Sequence, residues 1–210
     1  MASRGAGPRV RKAPQERRAE IVEAAAKVAL IEGLECITLR RVADLLDVRP
    51  GLVGHYFPVA EDLVAETFGT VAEAELLTLI PPDDTSSALE RMARFLTRAL
   101  SPEFHDVNRL WLNARHLARY RPTLRDRVIL QGDHWRDTVA QLIDDGVGSN
   151  EFGACDSQMV SLKILAVIDG LSADLNADPR FPASVMRMAV DVAEQELGLH
   201  AGDLGAPPTS

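Results

Sequence analysis

The chain has 210 residues, of which 46% are hydrophobic and 26% are charged, a balance typical of a globular protein with one large or two small domains. Its net charge of -8 hides an asymmetry, because residues 1–60 hold 10 Lys and Arg against 7 Asp and Glu, whereas residues 61–210 hold 13 against 24. The two cysteines have no paired spacing, which argues against a disulfide framework and a cysteine zinc site. We find no apolar run near the ~18 residues of a membrane span and no signal peptide, which argues against a membrane protein. We therefore expect a cytoplasmic location.

The N-terminal region divides into an irregular basic segment and a helix. Residues 1–14 are rich in Gly, Ala, Pro and Arg and have no apolar period, which predicts a disordered basic arm. Apolar residues then recur at steps of three and four from Ile21 to Ile31, and Gly33 follows. A helix is therefore predicted over residues 15–32.

Two very short helices follow, joined by a tight turn. Thr38 is a suitable N-cap for a helix over residues 39–46, and Pro50 suits the first position of a helix over residues 50–56. Such a pair is the layout of a helix-turn-helix, whose second helix enters the major groove of DNA. The basic N-terminal region of this acidic chain fits that function, because it would attract a polyanion at one end of the molecule.

The rest of the chain has helical periods, and no segment alternates convincingly as a strand would. The predicted helices are separated by Pro- and Gly-containing breaks and span residues 60–79, 86–100, 104–119, 122–145, 156–177 and 182–197. The predicted fold class is therefore all-α, with about nine helices. The break Pro81–Asp84 is the strongest candidate for a domain boundary by composition, and residues 199–210 are predicted to form a disordered tail.

Several side chains of the two short helices suit contact with DNA. Arg40 and Arg41 lie in a first helical turn, where the helix dipole disfavours cations unless an anion such as a phosphate binds there. Gly51 and Gly54 clear one face of the next helix for the approach of another backbone or of DNA. Alternatives stay open: such arginines cost only about 0.3–1 kcal/mol, Gly54 can serve helix packing, and Tyr56 can be a core aromatic.

With these features the chain up to Val64 resembles the TetR (tetracycline-repressor-like) family of transcriptional regulators. The resemblance rests on IVEAAAKVALIEGLECITLRRVADLLDV, RPGLVGHYF and EDLV, in the family's order and spacing. It implies a helix-turn-helix DNA-binding domain over residues 15–59 and a larger helical effector-binding and dimerisation domain over residues 60–198. It also implies DNA contacts by Thr38, Arg40, Arg49, Pro50, Gly51, Gly54, His55 and Tyr56.

Two positions depart from the family pattern. Arg49 replaces a small capping residue, often Ser, and adds a charge, whereas Ala60 stands where many members have a lysine that contacts phosphate. The basic residues that are candidates to replace this contact are Arg9, Arg11, Lys12, Arg17 and Arg18.

The predicted helix over residues 156–177 is apolar on nearly all sides, so it needs cover from more than one direction. A second chain can supply this cover. Together with the last helix, residues 182–197, it would form an intersubunit four-helix bundle with two-fold symmetry, so a homodimer is expected. The alternative is a helix buried wholly within its own subunit.

Candidate effector contacts are polar or aromatic residues on otherwise apolar helix faces. There are six of them: Trp111, His116, Tyr120, Gln131, Trp135 and Asp169. The segments LWLNARHLARYRP and AVIDGL are similar to the branch of the family that includes choline-responsive repressors of betaine synthesis. A cationic effector would suit the Trp faces and Asp169, whereas core packing or an internal salt bridge is the alternative role of each residue.

The sequence thus predicts a homodimeric repressor that a small-molecule effector of unknown identity releases from a palindromic operator in double-stranded DNA, without a cofactor or metal. One alternative is a related ligand- or protein-binding module that has lost DNA binding, and Ala60 is the only sequence feature that favours it. Another is a helical enzyme acting on a phosphorylated substrate. The five histidines show no metal-binding spacing, and the chain has no nucleophile elbow or phosphate-binding Gly loop, which disfavours the enzyme.

Overall fold

The computed structural model describes residues 13–178, 180 and 183–205, and helices are the only regular structure within these ranges. The described residues form nine α-helices: α1 Pro14–Glu32, α2 Leu39–Leu45, α3 Pro50–Tyr56, α4 Ala60–Leu79, α5 Ala88–Ala99, α6 His105–Ala118, α7 Pro122–Gly148, α8 Ser157–Ala177 and α9 Ala183–Glu196. Short 3-10 turns, Leu34–Cys36 and Pro102–Phe104, precede α2 and α6. The all-α prediction is confirmed. Within the described ranges no helix is both long and apolar enough to cross a membrane.

The helix starts follow from side-chain caps and from proline. The hydroxyl of Thr38 accepts the amide hydrogen of Arg41 at 3.0 Å, and Ser87 and Asp156 cap α5 and α8 in the same way. Proline occupies the first position of three helices, at Pro14, Pro50 and Pro122. These local causes explain why the predicted helix starts agree closely with the observed ones.

The core is one continuous cluster of buried apolar side chains that extends from Ile21 in α1 to Leu204 near the C-terminus. α4 lies in the middle of it, since it packs against α1 as well as against α5, α6 and α7. Phe57, Leu63 and Phe68 are at most 1% exposed. The core therefore has no break at residue 60, and the division into domains 15–59 and 60–198 stays a prediction.

α7 is longer at its C-terminus than predicted, because it continues to Gly148 instead of ending at residue 145. Gly146 lies against the ring of Phe152, and a Cβ at this position would be only 2.1 Å from a ring carbon. Gly146 therefore permits close packing inside the helix and does not end it.

The predicted disordered tail begins too early. Residues 199–205 form an ordered turn in which Leu204 is buried. The carboxylate of Glu194 in α9 holds this turn, since it accepts the amide hydrogens of Gly202 and Leu204 at 2.9 and 3.0 Å. Hydrogen bonds from backbone amides to one carboxylate do not require a periodic pattern of apolar residues. The sequence pattern therefore did not indicate that this turn is ordered.

Most of the predicted basic arm lies outside the described residues, as do residues 206–210. The arm's last two residues are described and correct its boundary, because Ala13 precedes α1 directly and Pro14 is the first residue of that helix. The candidate phosphate contacts that lie outside the described residues are Arg9, Arg11 and Lys12.

Candidate functional site

α2, α3 and the turn between them form the predicted helix-turn-helix. Val42, Ala43 and Val53 are fully buried, so one face of each short helix is held against the core. The turn closes through the amide of Val48, which donates to the carbonyl of Ala43 at 3.0 Å, while Asp47 adopts a left-handed conformation with a φ of 51°. Packing and turn together leave the opposite face of α3 pointing outward.

All eight residues predicted to contact DNA lie on this unit. Six of them are exposed: Thr38, Arg40, Arg49, Pro50, Gly51 and His55. Gly54 and Tyr56 are half-buried, and the Tyr56 ring stands edge-on to His55 with centroids 5.4 Å apart. A Cβ on Gly51 would meet nothing within 4 Å, and one on Gly54 would touch Leu39 at an ordinary 3.8 Å. Packing within the subunit therefore requires neither glycine.

The two arginines at the start of α2 have different surroundings. Arg41 donates two hydrogen bonds to the carboxylate of Glu32 in α1, at 2.5 and 3.3 Å, and this contact lowers the pKa of Glu32 and raises the pKa of Arg41. The side chain of Arg40 is 86% exposed, and its closest acidic neighbour is an Asp44 oxygen at 4.0 Å. The ion pair with Glu32 thus explains the position of Arg41 at the start of α2 without a bound phosphate. Arg40 remains available to bind a phosphate.

Arg17 and Arg18 are occupied within the protein. Arg17 pairs with a glutamate one turn further along α1. Arg18 pairs with the carboxylate of Glu66 in α4 through two nitrogens, donates to the carbonyl of Tyr56 at 2.9 Å and lies 4.1 Å over the ring of Phe57. Arg18 therefore braces α1 against the end of α3 and against α4, instead of replacing a phosphate contact as the sequence suggested.

A second candidate site is a cavity of about 140 Å³ lined by residues of α4, α5, α6, α7 and α8. Phe95 and Trp135 form one aromatic part of its wall, with ring centroids 5.9 Å apart, and Trp111 forms another, packed edge-to-face on Phe68. The ring nitrogen of Trp135 is buried and has no hydrogen-bond partner among the described residues. Cavities of roughly 150 Å³ hold molecules the size of benzene, so this one suits a small ligand.

Glu75 is the most buried charged group of the cavity wall, at 7% exposure. Its carboxylate accepts a hydrogen bond from the ring nitrogen of Trp111 at 2.7 Å. Burial raises the pKa of Glu75 to about 7, although this hydrogen bond opposes the shift. Arg115 pairs with Asp169 at 2.8 Å, and Arg136 pairs with an aspartate one turn earlier in α7. Within the described residues Glu75 has no such ion pair.

The structure brings three of the six predicted effector contacts to this cavity, namely Trp111, Trp135 and Asp169. Gln131 is buried but lies outside the cavity lining, and its side-chain oxygen lacks a hydrogen-bond partner within the described ranges. His116 and Tyr120 are exposed and contact each other, with ring centroids 6.0 Å apart. They miss the cavity because the inward face of α6 contains Trp111 and Arg115, and His116 is the next residue around the helix.

Most lining residues were not among the predicted contacts, and four of these are Glu75, Phe95, Asn108 and Arg115. Glu75 did carry a signal, because it falls on the buried stripe of α4 with Phe68, Ala72 and Leu79 at steps of three and four. A glutamate on such a stripe is rare unless a partner or ligand compensates its charge. The other three lie in helix patterns that do not distinguish a cavity wall from ordinary packing.

α8 buries one side within its own subunit and exposes another. Its buried residues include Val160, Ile164, Ile168 and Leu171, so the subunit itself supplies much of the cover that this helix needs. Met159 and Leu162 nevertheless remain 49% and 46% exposed, and Met188 of α9 is 48% exposed. A Lys163–Glu196 ion pair of 2.7 Å links the two helices. We call these three exposed apolar residues, Met159, Leu162 and Met188, the α8/α9 face, and Leu162 also lines the cavity.

The described residues contain no group of three or more His, Cys, Asp or Glu side chains that could hold a metal ion. The adjacent Asp133 and His134 are not an acid–base pair, since Asp133 binds Arg136 and His134 is exposed. The arrangement as a whole consists of a helix-turn-helix at one end and a separate cavity among the C-terminal helices.

The chain is similar to known proteins in sequence and in fold. Residues 88–197, more than half of the chain, match the family of BetI-type transcriptional repressors over its C-terminal domain. Among curated proteins, none matches the chain. A solved structure of a TetR-family regulator from Rhodococcus sp. is 21% identical, covers 87% of this chain and 99% of its own, and has a TM-score of 0.75.

Two further solved structures contain ligands. A transcriptional regulator from Saccharomonospora viridis in complex with choline is 20% identical over 87% of this chain and 98% of its own, with a TM-score of 0.72. The regulator FadR from Bacillus subtilis in complex with stearoyl-CoA is 18% identical over 87% of this chain and 99% of its own, with a TM-score of 0.67. These likenesses show a shared fold. The family match over more than half of the sequence shows that the chain belongs to the TetR family of transcriptional regulators and has a C-terminal domain of the BetI type.

Proposed function

We propose that the protein is a homodimeric repressor that binds a palindromic DNA operator and is released from it by a small cationic effector. The observation that carries this proposal is the helix-turn-helix, which exposes Pro50, Gly51 and His55 on α3 together with two cations, Arg40 on α2 and Arg49 before α3. None of these residues is needed for the core, so their exposure is explained best by a partner outside the chain.

The α8/α9 face supports the dimer. Its exposed apolar side chains would be buried against the same face of a second subunit, because a two-fold axis brings identical surfaces together. Such a dimer presents two α3 helices, which bind successive major grooves when they are roughly 34–36 Å apart. An effector that favours another spacing would release the DNA, with a coupling free energy of about 1–3 kcal/mol.

The chemistry of the cavity supports a small cation as effector. Trp111, Trp135 and Phe95 offer aromatic faces, which attract quaternary ammonium groups, and Glu75 offers a carboxylate without an ion-pair partner in the described part of the chain. A volume of about 140 Å³ suits choline, the ligand of the similar S. viridis structure, better than a long acyl chain. Choline is therefore the first compound to test.

DNA binding is expected to depend steeply on salt. For a duplex that the protein selects from a random pool, four phosphate contacts per dimer would lower the affinity by roughly a hundredfold between about 50 and 200 mM salt. Arg49→Ala removes one of these contacts per subunit, so the slope of log affinity against log salt is expected to fall by about 1.8. Fluorescence anisotropy of the labelled duplex measures both effects.

The matched control for Arg49→Ala is Arg119→Ala, which removes an exposed arginine of the C-terminal part of the chain. Its salt dependence is expected to equal that of the wild type. Affinity that does not change between the two salt concentrations, or failure to select any duplex, would overturn the proposed function.

Gly51→Ala is expected to keep the fold and weaken DNA binding by about tenfold or more, a loss of about 1.4 kcal/mol. The added methyl group meets nothing within 4 Å in the free protein, and alanine favours the helix over glycine. Against DNA, however, the methyl group would occupy the space that the glycine leaves open. Gly148→Ala is the matched control, because a Cβ there also meets nothing within 4 Å. Equal affinity of the two variants would show that Gly51 does not face the DNA.

A further inference from the structure

A larger groove lies beside the effector cavity, and the proposed function does not use it. The groove has a volume of about 670 Å³ and lies between α1, α4 and the beginning of α6. Apolar side chains form much of its lining, among them Ala19, Val22, Ala26, Val71, Ala74 and Val107. Ligand pockets in proteins commonly have volumes of about 300–1,000 Å³, so the groove has the size of a binding site.

The groove and the cavity are separated by a thin wall between α4 and α6. On α6, Val107 lines the groove, and the next residue, Asn108, lines the cavity. On α4, Glu75 belongs to both linings. The wall is therefore one residue thick at Glu75, whose carboxylate is held to α6 by the 2.7 Å hydrogen bond from Trp111.

The groove contains one carboxylate that the described part of the chain does not neutralise. Four glutamates line it, and three of these form ion pairs. The three pairs are Glu66–Arg18, Glu23–Lys27 and Glu103–Arg98. The fourth glutamate is Glu75, whose charged neighbours Arg115 and Asp169 pair with each other at 2.8 Å. Apolar walls beside an unpaired carboxylate favour a cation with an apolar substituent and disfavour a fatty anion.

We propose that the cavity and the groove form one effector site, and that the effector is a quaternary ammonium compound with an apolar chain of several carbons. The ammonium head lies at Glu75, beside the aromatic side chains of the cavity, and the chain passes Glu75 into the groove. Rotation of the Glu75 side chain away from Trp111 opens the passage, and the carboxylate then pairs with the head. This inference rests on the proposed function and extends its effector from the size of choline to a longer cation.

The test compares two ammonium ions that differ only in chain length, ethyltrimethylammonium and octyltrimethylammonium. Isothermal titration calorimetry with the full-length protein at about pH 8, above the pKa of Glu75 of about 7, gives both affinities. Full burial of one methylene raises an affinity by about three- to fourfold, so six further methylenes that are only half buried are expected to raise it at least about thirtyfold. Octanesulfonate has a chain of the same length and an anionic head, and it is expected to bind at least about tenfold more weakly than octyltrimethylammonium.

Two variants fill the groove. Ala74→Trp is expected to lower the ratio of the octyl to the ethyl affinity at least about fivefold, because the indole occupies space that the chain would use. Ala74 is exposed in the groove, so the core does not have to accommodate the larger side chain. Ala19→Trp on α1 meets the same conditions and is expected to lower the ratio in the same way. It keeps the test valid if Ala74→Trp fails to fold in a thermal unfolding control.

Leu77→Trp is the matched control, because Leu77 is 50% exposed on α4 and lies outside both linings. It is expected to keep the wild-type ratio. A high ratio that both groove variants also keep would show that the chain binds elsewhere on the protein and would overturn the proposal.

Three outcomes with the wild type also decide the matter. A ratio smaller than expected shows that the site ends at Glu75, which overturns this inference but leaves a choline-sized effector possible. Octanesulfonate that binds as tightly as octyltrimethylammonium shows that the site does not select a cation, and this result overturns the inference as well. If neither choline nor the two ammonium ions bind, the effector part of the proposed function fails and this inference fails with it, whereas binding of the selected duplex is measured separately.

Discussion

Replacing Met159 by glutamate is expected to convert the proposed dimer into monomers that no longer bind the selected duplex. Met159 is 49% exposed in a single subunit and belongs to the α8/α9 face. In the dimer the new carboxylate would lose its water, and the nearest lysine on α8, Lys163, is already paired with Glu196. Burying such a carboxylate costs several kcal/mol per charge, and the two-fold axis introduces it twice. We expect the dimer Kd to rise at least about a thousandfold, or ~4 kcal/mol, in analytical ultracentrifugation.

A glutamate at position 159 is expected to disrupt the dimer without unfolding α8. Met159 lies three residues after the N-cap Asp156, whose carboxylate accepts its amide hydrogen at 3.0 Å. Glutamate is favoured at this position by the helix dipole and by the capping box, so α8 should remain stable. Ile129→Glu on α7 is the matched control, because Ile129 is 54% exposed outside the α8/α9 face. Sedimentation of Met159→Glu as a wild-type dimer would exclude this face as the interface.

Glu75→Gln is expected to stabilise the protein above neutral pH. Burial raises the pKa of Glu75 from 4.5 to about 7, so between these values the folded state holds a proton that the unfolded chain has lost. The free energy of unfolding of the wild type therefore falls as the pH rises from about 4.5 to about 7 and stays lower above it. Glutamine has no proton to lose and can still accept the hydrogen bond from Trp111. In urea unfolding we expect a gain on the order of 2–3 kcal/mol at about pH 8 and below about 1 kcal/mol at about pH 5.

The same substitution is expected to weaken choline binding at about pH 8 by at least about tenfold, because the ionised Glu75 carboxylate no longer faces the cation. Isothermal titration calorimetry measures this loss. Glu73→Gln is the matched control, since Glu73 is an exposed glutamate of the same helix. Unchanged choline affinity in Glu75→Gln would argue against a cationic effector at this site. Equal stability of variant and wild type at both pH values would argue against a raised pKa.

The order and limits of the helices were predictable because their causes are local. Thr38, Pro50 and Pro122 act within one helical turn, so each start could be located from neighbouring residues alone. The errors arose where distant contacts decide the structure. Gly146 lies inside α7 and leaves room for the ring of Phe152, and Glu194 binds the amides of the turn after α9.

The cavity was less predictable than the helix-turn-helix. An apolar period identifies the buried face of a helix, but it does not show whether a cavity or another side chain lies opposite. Of the predicted effector contacts, Trp111 and Trp135 line the cavity, whereas His116 on another face of α6 does not. The brace between Arg18 and Glu66 joins positions 48 residues apart, a separation at which the sequence pattern carries no information about pairing.

This brace affects how regulators of the family can be recombined. A chimera joined at residue 60 would take Arg18 from one parent and position 66 from the other, so the ion pair would survive only if both parents encode it. The carbonyl of Tyr56 would then lose a donor held in place by that pair. A transplant that preserves the orientation of α3 should therefore take α1 and the first two turns of α4 from a single parent.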